Sequence, residues 1–267
     1  MQNGDQVELS LVIPAYNAAR MIVGSLRRAR AYLKDRWSYE IIVVDDGSAD
    51  RTVGTITRLQ AEDPTLRLLC NGKNRGKGYA VTRGMLEARG RYILCTDADM
   101  VYPLDLIETF IDKLNEGYDV AVGSRVVEGS LYAMHPRHFP YIYQRHLVGR
   151  VFIWVVHRVL DLPITDTQCG FKLFRREAAQ AIFPRVELSS FAFDVEVLLI
   201  GRRLDYRIAE MPVYYRYDGE GSSVQLFRDS LKMFTDLLII RKNDARRRYG
   251  PDRASSRPEQ QASSRHL

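Results

Sequence analysis

The stretch "YEIIVVDDGS", residues 39–48, is a run of β-branched residues closed by two adjacent carboxylates and a Gly-Ser turn. Ile41, Ile42, Val43 and Val44 in succession are the composition of a strand buried within a sheet. Working outward, "LSLVIPAY" (9–16) is a second such strand, and residues 18–34 between the two carry apolar positions such as Leu26, Ala29 and Leu33 at helical spacing. Residues 50–61 read as a helix with Asp50 placed to cap it. There follow a strand at "TLRLLCN" (65–71), a helix at 76–89 and a strand at "YILCTDAD" (92–99). An amphipathic helix at "LDLIETFIDKLNEG" (104–117) closes on Gly117, and "YDVAVGSR" (118–125) is a fifth strand. This alternation predicts an α/β domain with a mostly parallel central sheet flanked by helices.

In such sheets ligands bind at the C-terminal ends of the strands. The polar punctuation falls there: "AYN", "DDGS", "NRGKG", "DAD" and "GSR". Asp97 and Asp99, two residues apart, point to the same side if the strand continues through them, and then both reach one hard cation. The competing reading is a solvated turn after a strand. Asp45 and Asp46 sit where a carboxylate accepts from a nucleobase N–H or a ribose hydroxyl. In "NRGKG" (74–78), Arg75 and Lys77 stand among glycines at a helix start, a setting that suits a phosphate. The spacing is not that of a P-loop, and no Ser or Thr follows Lys77.

The chain has 267 residues, 46 % of them hydrophobic, enough for a sizeable core. Its net charge of +6 fits either a solvated surface with a basic tail or a surface that meets phosphate on a ligand or lipid headgroup. No nucleic-acid-binding motif accompanies that charge, so nucleic acid is not expected as a partner. Cys70, Cys95 and Cys169 form no zinc or disulfide pattern, which makes a reducing compartment the default. Neither a signal peptide nor an apolar run of about 20 residues is evident.

Residues 1–7 read as a flexible N-terminus, 8–224 as the α/β domain, 225–242 as an amphipathic helix and 243–267 as a disordered basic tail. Within the domain, "YIYQRHLVGRVFIWVVHRVL" (141–160) is helical, and at about 100° per residue Leu147, Val148, Val151, Phe152, Val155 and Val159 share one broad face. His146, Arg150 and His157 lie opposite. That helix is either a core helix with one exposed stripe or one lying in a membrane interface with Trp154 at headgroup depth. The apolar 225–240 segment is followed by "RKNDARRR", which favours contact with anionic lipid.

The motifs "LSLVIPAYN", "EIIVVDDGSADRT", "NRGKGYAVTRGM", "TDADM" and "VGSR", in that order, resemble glycosyltransferase family 2 on a GT-A fold. "DTQCGFKLF" (166–174) and "FAFDVEVLLI" (191–200) resemble the polyprenyl-phosphate sugar synthase branch, and the former is similar to dolichyl-phosphate β-glucosyltransferases. The resemblance implies a nucleotide-sugar pocket of Pro14, Ala15, Tyr16, Asn17, Asp45, Asp46, Lys77, Asp97, Ala98 and Asp99, with Tyr16 against the base. It implies Mg2+ or Mn2+ on Asp97 and Asp99, and an acceptor phosphate on Arg125, Arg145 and Arg216. Asp97, Asp99 and Arg125 are the catalytic candidates. Gln168, Lys172, Asp194 and Glu196 are candidates for the acceptor or sugar site. The alternative for Asp194 and Glu196 is a helix-start acid pair holding local N–H groups or Lys172.

Two positions depart from the pattern. Mannosyl relatives carry a Gln metal ligand where this chain has Val101, and the family's "YNE" is here "YNA", with Ala18. The implied reaction moves a hexose, glucose from UDP-glucose by preference, to polyprenyl or dolichyl phosphate with inversion. GDP-mannose as donor, or a sugar hydroxyl as acceptor, are the alternatives. The implied place is the cytoplasmic face of a membrane, peripheral, with anchoring that is monotopic or supplied by a membrane-protein partner.

Overall fold

The computed structural model describes residues 7–134, 139–217 and 226–250. The expected flexible N-terminus up to residue 6 and the expected tail from residue 251 lie outside those residues.

Strands β1 (Leu9–Ala15), β2 (Tyr39–Asp45), β3 (Leu66–Cys70) and β4 (Tyr92–Thr96) run parallel, in the order β3-β2-β1-β4. Their connections are α1 (Ile22–Leu33), α2 (Thr52–Glu62) and α3 (Lys77–Glu87). The spacing that makes α1 helical is also what buries it: Ile22, Leu26, Ala29 and Leu33 all face the sheet. The same holds for Ile107, Phe110 and Leu114 of α4 (Leu106–Asn115).

The fifth sequential strand, β5 (Val120–Ser124), does not pair with β4. Strand β7 (Phe171–Arg175) inserts antiparallel between them, and β8 (Ile208–Pro212) adds parallel to β5 at the edge. A separate parallel pair joins β6 (Leu131–Met134) to β9 (Tyr214–Tyr217). One core layer packs β1, β2 and β7 against α1 and α4, with the edge of Phe110 on Phe171. The other packs the opposite sheet face against α3, α5 (Phe139–Leu160), α6 (Arg176–Ile182), α7 (Phe193–Arg203) and α8 (Leu226–Ala245).

Two expectations about the helices change. The apolar stripe of α5 is split: Phe152 and Val156 are buried and the Phe152 ring meets Phe234 of α8, while Leu147, Val151, Tyr143 and Trp154 stay exposed. The tail begins later than residue 243. Helix α8 runs to Ala245, Arg203 holds Asp244 in a two-pronged ion pair, and the Tyr249 side chain is fully buried. The Arg-rich composition of 243–250 hides a single aromatic anchor.

Candidate active site

The sheet register brings the strand ends level. Ala15 faces Asp45, and Asp45 faces Cys70, so the residues that follow each strand share one rim. Tyr16 leaves β1 with its ring 48 % exposed, whereas the Ala15 side chain is packed in the core and Pro14 is half-buried. Asn17 takes a left-handed φ of 51° and ties two turns together: its N–H donates to Ser48 Oγ at 2.8 Å, and its Oδ1 accepts from Ala49 N at 2.9 Å. Expected to cap α2, Asp50 instead lies one residue before the N-cap, Arg51, and accepts from Thr52 N at 2.9 Å through its Oδ1.

Asp45 and Asp46 are both buried, and both serve the backbone. Asp45 Oδ2 accepts from Gly47 N at 3.0 Å and Ser48 N at 3.2 Å. Asp46 is more fully committed. Its Oδ1 accepts from Asn71 Nδ2 (2.8 Å) and Arg75 N (3.0 Å), and its Oδ2 from Gly76 N (2.8 Å). It therefore holds the glycine-rich loop rather than presenting a free carboxylate. Gly76 has a φ of 98°, and a Cβ there would run into the Ser189 carbonyl, which also accepts from Gly78 N at 2.9 Å. The loop is thus pinned from both sides, and Lys77 emerges from it.

Strand β4 ends at Thr96, so Asp97, Ala98 and Asp99 form a turn and not the extended segment expected. Met100 N donates to Asp97 O at 3.0 Å across that turn, Met100 has a φ of 46°, and Arg28 Nη2 donates to Asp99 O at 3.2 Å. Lys77 Nζ lies 2.6 Å from Asp97 Oδ1. Burial works against the Lys77 charge, but Asp97 and then Asp194 outweigh it and hold the ammonium protonated well above its usual range. On the other flank of Asp97, a Cβ on Gly170 would overlap the carboxylate. Surrounding protein and the Asp97 charge push the Asp99 carboxyl up to about 6. Among the described residues no cluster of three or more metal-ligating side chains occurs, and Asp97 and Asp99 are the two acids of this turn that could hold a cation. That donor set suits a Mg2+ or Mn2+ whose remaining ligands are substrate phosphate and water.

The loop before β7 joins two parts of the site. Its Gly170 makes room for Asp97, and its Asp166 grips Arg125, with Nε to Oδ2 at 2.7 Å and Nη2 to Oδ1 at 2.9 Å. Arg125 N also donates to Asp166 Oδ2, at 3.0 Å. Burial opposes the Asp166 charge, but the guanidinium overrides it and holds the carboxyl below its usual range. The fork leaves the Nη1 edge of Arg125 outside the pair. Neighbouring Gln168 has its side-chain Nε2 buried with no hydrogen-bond partner among the described residues, and Thr167 Oγ1 is in the same position.

Three other candidates turn inward. Lys172 is buried and donates to Asp194 Oδ1 at 2.6 Å and to the Cys169 carbonyl. Glu196 is fully buried, where its Oε2 accepts from Leu188 N at 2.8 Å and Glu187 N at 3.1 Å while Tyr249 Oη donates to Oε1. Lys172, Asp194 and Glu196 each have internal partners, which fits the alternative raised for the two acids, because a buried charge needs such a partner. The Arg145 and Arg216 side chains lie outside the described residues. Sequence reasoning missed Asp166, Gly170 and Arg28 as site residues. Asp166 and Gly170 lay inside the "DTQCGFKLF" motif and were readable there; nothing local marks Arg28.

The family model described as "Glycosyl transferase family 2" matches residues 10–183. This chain belongs to glycosyltransferase family 2. The family 2 enzyme is 36 % identical over 251 residues to a dolichyl-phosphate β-glucosyltransferase of Dictyostelium discoideum, covering 89 % of this chain and 75 % of that one. It is 35 % identical to the Homo sapiens protein of the same name, covering 88 % and 75 %. Among solved structures, a mannosyltransferase from Pyrobaculum calidifontis in complex with GDP-Man and Mn2+ superposes with a TM-score of 0.58 at 19 % identity. That match covers 91 % of this chain and 65 % of the other, and it establishes the GT-A fold of this glycosyltransferase.

Proposed function

We propose that this glycosyltransferase transfers glucose from UDP-glucose to a polyprenyl or dolichyl phosphate, inverting the anomeric centre, with Mg2+ or Mn2+ on Asp97 and Asp99. The observation that carries the reading is the 166–170 loop, in which Asp166 clamps Arg125 and Gly170 abuts the Asp97 carboxylate. Identity of 35–36 % to proteins named dolichyl-phosphate β-glucosyltransferase supports the sugar and the acceptor.

When bound, the cation neutralises the donor diphosphate and stabilises it as a leaving group. The chain's own residues do the rest. Tyr16 stacks on the base and Asp45 accepts from base or ribose. Asp46 holds the Gly76 turn so that Lys77 is within reach of the diphosphate. The acceptor is a phosphate monoester, already anionic at neutral pH, so its oxygen attacks the anomeric carbon without a general base. The task is then electrostatic: two anions must meet. Arg125, oriented by Asp166, offers its Nη1 edge to the acceptor phosphate, and Gln168 Nε2 gains the acceptor atom it lacks.

The exposed stripe Tyr143, Leu147, Val151 and Trp154 on α5, with Leu238 and Ile239 on α8, supports peripheral seating on a membrane, for which the cytoplasmic face is the proposed side. No helix among the described residues is long and apolar enough to cross one.

The test is incubation with radiolabelled UDP-glucose or GDP-mannose, polyprenyl phosphate and Mg2+ or Mn2+. Glucose label entering the lipid is the expected result. Mannose label entering in its place overturns the donor assignment. Label moving to a soluble sugar and not to the lipid overturns the acceptor.

A further inference from the structure

Four charges stand in alternation beneath the donor rim: Asp97, Lys77, Asp194 and Lys172. The outer contacts are short, 2.6 Å from Lys77 Nζ to Asp97 and 2.6 Å from Lys172 Nζ to Asp194. The two pairs differ in freedom. Lys172 and Asp194 are both buried, and Lys172 also donates to the Cys169 carbonyl, so that pair is closed. Asp97 is fixed as well: the Met100–Asp97 turn sets its backbone and Gly170 abuts its carboxylate. Lys77 is the loose member. Its side chain is a quarter exposed, and it lines a cavity of about 250 Å³ together with Arg75, Ser189, Phe191 and Met233. The ammonium therefore has somewhere else to go, and it occupies one of the two oxygens that the cation site requires.

We propose that Lys77 is an internal stand-in for the divalent cation: its ammonium neutralises Asp97 while the donor site is empty, and it is handed over to the donor diphosphate when nucleotide and cation enter together. A dication arriving alone meets a positive charge already seated on Asp97. A dication arriving with diphosphate brings the anion that takes Lys77 away. Lys77 thus makes cation and nucleotide binding mutually dependent, which keeps the carboxylate pair from filling with metal in the absence of donor. The coupling is reciprocal, as linkage requires.

The inference rests on the cation reading of Asp97 and Asp99, so the experiment carries an arm for each. Mn2+ binding to the full chain is followed by electron paramagnetic resonance of free Mn2+, with and without UDP, for the parent, Lys77→Gln, Lys77→Arg and Asp99→Asn. Circular dichroism confirms that each is folded. Lys77→Gln is expected to bind Mn2+ alone about tenfold more tightly, the scale set by removing one charge from beside a dication at water-like screening. In that variant UDP should strengthen Mn2+ binding much less than in the parent. Lys77→Arg, which keeps the charge, should restore the parent's weak binding of Mn2+ alone. A residue that merely contacts nucleotide predicts another pattern: unchanged Mn2+ affinity without UDP and weaker UDP binding. That pattern overturns the stand-in role and leaves the cation site standing. Mn2+ binding that survives Asp99→Asn overturns the cation site, and the inference with it.

Discussion

Tyr249 sits seven residues past the point where composition suggests that order ends, yet its side chain is fully buried. Its hydroxyl donates to Glu196 Oε1 and accepts from Asn243 Nδ2 at 3.3 Å. Glu196 in turn receives the N–H groups of Glu187 and Leu188, just before the Ser189 carbonyl that braces the glycine-rich loop. Tyr249→Phe keeps the ring and removes one donor to a buried carboxylate, worth about 2 kcal/mol. For a chain of this size that lowers the melting temperature by about 4–8 °C. Tyr249→Ala also opens a cavity and should cost about 3–5 kcal/mol.

The pH dependence has a definite sign. Burial raises the Glu196 carboxyl, so this group favours the fold most below about pH 4.3, the value of free Glu, and less as pH rises through its raised folded value. The Tyr249 hydroxyl favours the ionised form, so losing it widens that decline. The Tyr249→Phe deficit should therefore be largest above neutral pH and shrink toward pH 4. Thermal unfolding followed by circular dichroism across that range is the assay. A Tyr249→Phe protein that melts within about 1 °C of the parent at pH 8 refutes the clasp.

Gly170→Ala puts a Cβ into the Asp97 carboxylate. It should cost about 1–3 kcal/mol of stability and weaken Mn2+–UDP binding, and unchanged binding by calorimetry counts against the placement of Asp97. Asp166→Asn frees the Arg125 fork. The KM for polyprenyl phosphate should rise about tenfold while the KM for UDP-glucose stays put, and a donor effect instead would move Arg125 to the other substrate. With Asp99 pushed up to about 6, a proton competes with the cation there, so Mn2+ affinity without nucleotide should fall as pH drops below that value. A flat profile from pH 5 to pH 8, read by titration, contradicts the role. Leu147→Glu with Trp154→Glu charges the exposed stripe of α5. Co-sedimentation with liposomes containing anionic lipid should fall about tenfold while melting is unchanged; retained binding places the membrane contact elsewhere.

Local pattern carried much of this protein. The β-branched runs ending in acids, the helical spacing of Ile22, Leu26, Ala29 and Leu33, and the order of the polar strand ends all follow from neighbours in the chain. They suffice for the α/β class, the rim and the carboxylate pair. What they leave open is set by residues distant in sequence competing for one another. Strand β7 enters antiparallel between β4 and β5 because three strands must share hydrogen bonds, and no local period reveals which pair will be parted. Arg125 looks free until Asp166 closes on it, and Asp194 and Glu196 look like acids for the acceptor or sugar until Lys172 and Tyr249 claim them. A charge in a low-dielectric interior takes the nearest partner that packing supplies, and only the folded chain decides which partner that is.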